Sequence, residues 1–144
     1  IIGLGGVAGH AHHRMKRGEL GYFGRAAITQ GFSAVTAACL VTTRAAYEKV
    51  GGLNETDLTV AFNDVDFCLK LLEAGFRNVW TPFAELYHHE SVSRGQDDTP
   101  EKQARFTKET EYMRQRWSRW ISNDPCYNTN LTLVSAEQFQ LKNC

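Results

Sequence analysis

At 144 residues the chain has the length of one domain or a large piece of one, which leaves no room for two independent cores. The 16 Lys and Arg cancel the 16 Asp and Glu, so no field of one sign draws the chain to nucleic acid or to anionic lipid. Hydrophobic residues make up 42% and there are only 3 Pro, which excludes a disordered chain, a collagen or a mucin-like stalk.

The opening Ile1-Ile2-Gly3-Leu4-Gly5-Gly6 has no starting Met and no basic flank of a signal peptide, and it reads like the end of a strand running into a glycine loop. Residues 1–25 are rich in glycine, hold His10, His12 and His13 and show no apolar period, the composition of a mobile loop bordering a site. Ala26 to Thr43 carries no charge and has the length of a short membrane span. Its many polar groups, Thr29, Gln30, Ser33, Thr36, Thr42 and Thr43 among them, argue instead for a buried strand and its approaches. The small and β-branched run from Phe32 to Val41 predicts a strand covered on both faces. A short helix over Arg44 to Val50 should then stop at Gly51-Gly52. Cys39, Cys68, Cys126 and Cys144 are widely spaced without a C-x-x-C pair, which points away from a disulfide scaffold or zinc ribbon and toward a reducing compartment.

From about Asp64 to Ala74, Val65, Cys68, Leu69 and Leu72 recur at helical spacing and predict an amphipathic helix ended by Gly75. Phe76 to Thr81 reads as a strand stopped by Pro82, and Ala84 to His89 as a second short extended piece. Ser91 to Asp98 has the polarity of a surface loop, either a lid or an exposed connector. Thr99-Pro100 is an N-cap and first-turn pair for a helix reaching about Ile121. Phe106, Thr110, Met113, Trp117 and Trp120 form its apolar face, and Lys102, Lys108, Glu109 and Arg116 its solvated face. Trp117 and Trp120 suit core better than a ligand-stacking platform. The tail from Asn123 to Leu133 is turn chemistry without periodicity.

The residues able to carry chemistry concentrate in Phe62-Asn63-Asp64-Val65-Asp66 and in Tyr87-His88-His89-Glu90. At the start of a helix, the Asp64 carboxylate accepts backbone amides and feels the positive end of the helix dipole. Both favour the ionised form, suiting it either to cap the helix or to act as a base. Asp66 stands about 200° around the helix from Asp64, so the two carboxylates diverge. That divergence also counts against reading Asp64-Val65-Asp66 as a metal-holding D-x-D, which needs converging carboxylates. His10, His12 and His13 admit a metal site, but without a neighbouring carboxylate they read better as substrate-contacting or solvated.

The ordered set Val50-Gly51-Gly52-Leu53-Asn54-Glu55, Phe62 through Leu71, Ala74-Gly75-Phe76-Arg77, Pro82 and Tyr87-His88-His89-Glu90-Ser91 resembles the second half of a family 2 glycosyltransferase of GT-A fold, similar to bacterial enzymes that build O-antigen and other surface polysaccharides. The match runs from about Gly31 to Ser93. It implies an α/β chain, a partial GT-A fold with a mixed sheet and flanking helices that lacks the nucleotide-binding first half and is cut from a longer protein. It divides the chain into a glycine and histidine-rich loop (1–30), an acceptor-side region carrying the base (31–93), and a lid loop, C-terminal helix and tail (94–144). The family's Glu-Asp pair falls on Asn63-Asp64, which implies that Asp64 is the general base and that Asn replaces the usual Glu. His88 stands where some members place a metal ligand, with His89 as the fallback and a hydrogen-bonded strand-end residue as the bland alternative. Thr36, Ala37 and Ala38 lie where the family's buried strand passes the donor sugar and acceptor, and Arg94 on the lid is available to a phosphate.

The resemblance further implies an inverting transfer of sugar from a nucleotide-sugar donor to a glycan or lipid-linked acceptor at the inner face of the cytoplasmic membrane. A divalent cation, Mn²⁺ or Mg²⁺, would assist it, held mainly by the absent half, so the chain alone should bind metal weakly and be inactive. The Trp117 and Trp120 face is also open to the missing half or to a second copy in a homo-oligomer. Two other classes stay open: a non-catalytic carbohydrate-binding module, and a metal-dependent hydrolase built on Asp64, His88 and His89.

Overall fold

The local signals in the middle of the chain set where its helices begin and end. A computed structural model of the chain describes residues 1–13, 15–86, 99–134 and 138–142. It is a mixed α/β arrangement of several helices around a small antiparallel sheet. In chain order come β1 (Gln30–Phe32), α1 (Arg44–Lys49), α2 (Asn63–Glu73), β2 (Asn78–Trp80), α3 (Pro100–Arg116) and α4 (Ser118–Ser122), with short 3-10 turns at Leu4–Gly6, Tyr22–Ala27 and Ala37–Cys39. Helix α1 is capped by the Thr43 hydroxyl, which accepts from the Ala46 amide, and it stops before Gly51 and Gly52, both at positive φ as the sequence predicts. At α3 the Thr99 hydroxyl accepts from the Lys102 amide, with Pro100 in the first turn.

β1 and β2 pair antiparallel with Gln30 opposite Trp80, Gly31 opposite Val79 and Phe32 opposite Asn78. The expected strand over Phe32 to Val41 is therefore corrected: only its first residue lies in β1, and residues 36–39 are exposed. Side chains take the hydrogen bonds a ladder would have used. The Val35 amide points at Cys68 Sγ (3.5 Å) and that thiol returns toward the Val35 carbonyl (3.6 Å). The Ala37 amide donates to Asp64 Oδ2 (3.0 Å), and the Thr36 hydroxyl accepts from the Ala38 amide (3.3 Å). Small residues let this segment lie close against α2, where polar partners are already supplied. Residues 84–86, the described part of the expected second extended piece, form no strand, and 87–89 lie outside the described residues.

One core cluster joins Ile2, Val7, Leu58, Leu69, Met113 and Trp117, and a second joins Ala46, Phe67 and Leu71. Helix α2 is thus buried on two sides, a wider stripe than the Val65, Cys68, Leu69, Leu72 row. In the N-terminal segment Ile2 and Val7 belong to the first cluster and Ala8 packs against it. Ile2 bridges Ala8, the Ile2 amide donates to Asp124 Oδ2 (2.8 Å), and the Gly5 amide donates to the Leu133 carbonyl (3.0 Å). Gly3 sits at φ +85°, and a Cβ there would come within 2.4 Å of the Ile121 carbonyl oxygen, so this close approach admits only glycine.

The long C-terminal helix breaks at Trp117 into α3 and α4. Trp117 is buried, as expected for core, and its indole N–H donates to Asp66 Oδ1 (2.8 Å). The solvated-face reading fails for Glu109, which is only 1% exposed. Its carboxylate accepts from the Thr59 hydroxyl (3.0 Å), the Val60 amide (2.9 Å) and the Ala61 amide (3.0 Å), with the Arg105 guanidinium 3.7 Å away. Among the described residues Cys39, Cys68 and Cys126 are free thiols. No helix of the described residues is long and apolar enough to cross a membrane.

Candidate functional site

A cavity of about 650 Å³ opens where the N-terminal loop, the β1–β2 pair and the start of α2 meet, and its lining includes His10, His12, Arg25, Thr36, Asp64 and Trp80. Asp64 reaches it from the first turn of α2. The capping position is Phe62, not Asp64, and Phe62 has a left-handed backbone (φ 60°). Asp64 Oδ1 still takes a first-turn amide, that of Val65 (2.9 Å), while Oδ2 takes the Ala37 amide across the cavity rim (3.0 Å). These two bonds fix the carboxylate. A carboxylate offers about four lone-pair directions, so acceptor capacity remains for a hydroxyl entering the cavity.

Asp66 diverges from Asp64 as the helical rotation requires. It is buried, receives the Trp117 indole N–H and faces Lys70 Nζ at 3.1 Å. It belongs to a separate hollow of about 470 Å³ that Lys70, Tyr112 and Arg116 also line. Burial and the nearby Asp66 charge push the Tyr112 hydroxyl above the usual tyrosine range. Asp64-Val65-Asp66 therefore splits its two carboxylates between different surfaces.

The other sequence candidates separate cleanly. Thr36 lines the cavity beside Asp64. Ala37 acts through its backbone amide on Asp64, and Ala38 only closes the turn onto the Thr36 hydroxyl. Asn63 turns away to staple the preceding loop: its carboxamide oxygen accepts from the Asn54 amide (3.0 Å), and its nitrogen donates to the Asn54 (3.2 Å) and Leu58 (2.7 Å) carbonyls. His88, His89 and Arg94 lie outside the described residues. Among the described residues no group of three His, Cys, Asp or Glu comes together as a metal site.

Arg25, Phe32 and Trp80 were not singled out by the sequence, yet all line the cavity. The Phe32 and Trp80 rings meet edge to face, centroids 6.2 Å apart, because the register sets their positions two residues out of line on paired strands. Each of these aromatics is the last residue of a three-residue strand, too short to show a period, and nothing marked Arg25. His12 has a left-handed backbone (φ 55°), its amide donates to Gln138 Oε1 (2.8 Å), and its ring stacks on Phe139 (4.6 Å). Burial, and then the charge of Arg25, hold the His12 imidazole below the usual histidine range. Four non-glycine residues among those described have positive φ. Two of them, His12 and Phe62, line this cavity, and a third, Phe139, stacks on His12. Such backbone costs on the order of 1–3 kcal/mol per residue and gathers where a site must be shaped.

No protein-family profile and no solved structure matches the chain. The chain is 59% identical, over 92% of its length, to the uncharacterized protein y4gI of Sinorhizobium fredii, of which it spans 15%. It is 34% identical over 95% of its length to the O-antigen biosynthesis protein RfbC of Myxococcus xanthus, of which it spans 10%. Over 60% of its length it is 31% identical to the N-acetylglucosaminyl-diphospho-decaprenol L-rhamnosyltransferase of Mycobacterium tuberculosis, covering 28% of that protein. The chain thus spans a small part of each of these relatives; the names of the M. xanthus and M. tuberculosis proteins point to glycosyltransferase-like proteins of polysaccharide synthesis.

Proposed function

We propose that the chain is the acceptor-side part of an inverting glycosyltransferase of family 2 and GT-A fold, and that Asp64 is its general base. The observation that carries the reading is the Asp64 carboxylate, fixed by the Ala37 and Val65 amides at the edge of a saccharide-sized cavity. Similarity to a rhamnosyltransferase and to an O-antigen biosynthesis protein supports the reaction class. The acceptor is a glycan or a lipid-linked saccharide, the M. tuberculosis relative being named for a diphosphate-linked one, and the work is done at the inner face of the cytoplasmic membrane.

In the transfer, Asp64 takes the proton of an acceptor hydroxyl as that oxygen bonds to the anomeric carbon of the donor sugar. The bond from that carbon to the nucleotide's diphosphate breaks with its electron pair leaving on phosphate, and the anomeric centre inverts. Thr36 and the Phe32 and Trp80 rings bound the space in which the sugar must lie. Aromatic rings present flat apolar faces that suit the C–H face of a pyranose. A divalent cation, Mn²⁺ or Mg²⁺, belongs to the proposal as a charge-offsetting group for the diphosphate, with His88 as a ligand. Among the described residues Asp64 is the one carboxylate in the cavity lining, which is not a cation donor set, so no step here passes through the metal. Arg94 is proposed as a phosphate contact.

Sugar transfer measured on the full-length protein tests this reading. Asp64→Asn keeps the size of the side chain and should lower turnover by ~10²- to 10⁴-fold, the range of a positioned general base.

A further inference from the structure

Arg25 is built into the cavity wall in a manner the general-base reading does not use. Its Nε donates to Gln30 Oε1 (3.0 Å) and its Nη2 donates to the Cys126 carbonyl (3.1 Å), while the Gln30 carboxamide returns a bond to the Arg25 carbonyl. The guanidinium lies 5.1 Å over the Phe32 ring. All of these partners are neutral. Three of the five guanidinium N–H groups have no partner among the described residues.

The acid in this part of the chain, Asp124, is already committed. It accepts from the Ile2 amide, the Ser33 hydroxyl and the Cys126 amide, and it forms no ion pair with Arg25. A half-buried guanidinium is therefore fixed in place, with open donors and no carboxylate paired to it among the described residues. Removing a cation from water without a counter-ion costs free energy that an incoming anion would recover. Beside it, His12 Nε2 is buried and has no hydrogen-bond partner, and His10 lines the same space.

We propose that the Arg25 end of the cavity binds an oxyanion, a phosphate or a carboxylate, carried by the acceptor saccharide, and thereby sets which acceptor hydroxyl meets Asp64. This rests on the acceptor reading of the cavity given above. Arg25 is then a specificity residue: its planar fork matches two oxygens of either group.

Equilibrium dialysis of the full-length protein with labelled glucose 1-phosphate, glucuronate and glucose tests the proposal. Tighter binding of either anion than of glucose is expected, and which anion is favoured identifies the source of the charge. Arg25→Gln should weaken that anion about tenfold or more, the scale of hydrogen bonds to a charged group, while leaving glucose unchanged. Should Arg25→Gln fail to fold by circular dichroism, Arg25→Lys keeps the charge without the fork and should weaken the anion severalfold. Asp64→Asn should retain anion binding, which separates this site from the base. Equal binding of all three ligands, or unchanged anion affinity in the folded Arg25 variant, overturns the proposal.

Discussion

Glu109 on α3 supports the cavity from outside it, by holding residues 59–61, and its removal should be felt first as instability. Glu109 is 1% exposed, and its carboxylate accepts three hydrogen bonds of 2.9–3.0 Å, two of them from the consecutive amides of Val60 and Ala61. Each bond to a charged acceptor contributes about 1.5–3 kcal/mol, and losses from one group are not additive. Thr59 is exposed and Val60 and Ala61 are only half-buried, so water can replace part of what is lost. For Glu109→Ala a net loss of about 3 kcal/mol follows, near the low end for stripping a buried charge network. In a chain of this size about 3 °C of Tm accompanies each kcal/mol, so thermal unfolding followed by circular dichroism should show a fall of about 10 °C. Glu109→Gln keeps one acceptor oxygen and should lose less. A Glu109→Ala protein melting within about 2 °C of wild type would refute the reasoning.

Trp117→Phe removes the indole donor from buried Asp66 and leaves a void, so urea unfolding should report a loss of about 2–4 kcal/mol; an unchanged midpoint would contradict the assigned bond. Burial raises the Cys68 thiol to about 11, whereas Cys39 is exposed, so at pH 8 a thiol reagent should modify Cys39 in the folded protein and Cys68 only after unfolding. Equal rates at the two sites by peptide mapping would count against the packing of Cys68 on Val35. The lowered pKa of His12 means that the unfolded chain takes up the proton first as pH falls below about 6.5, the ordinary histidine value. Stability should therefore decline over that acid window, and His12→Asn, which tolerates the left-handed backbone, should flatten the decline. An identical pH dependence of unfolding in the two proteins would remove His12 from the account.

The helices were legible because their signals are local. Thr99 caps, Gly51 and Gly75 stop, and the stripe on α2 has helical spacing, all within a few residues of the feature they determine. Divergence of Asp64 and Asp66 followed from helical rotation alone. The strand expected over Phe32 to Val41 was not legible, since its apolar pattern is compatible with a ladder. What decides against one is the side chain of Cys68 and the carboxylate of Asp64, 33 and 27 residues away. Glu109 misled for a related reason: a charged residue on a polar helix face reads as solvated until a loop 48 to 50 residues distant brings it three donors. Asp124 and Arg25 escaped notice because turn-rich and glycine-rich segments carry no period from which burial can be inferred.

The most direct test of the account is single-turnover sugar transfer by full-length Asp64→Asn, with acceptor affinity measured beside it by calorimetry. Asp64 is held by the Ala37 and Val65 amides and is assigned to proton removal, not to binding. Acceptor affinity within a fewfold of wild type and a transfer rate lower by ~10²- to 10⁴-fold is the expected result. Transfer at the wild-type rate would contradict the assignment of Asp64 as the base.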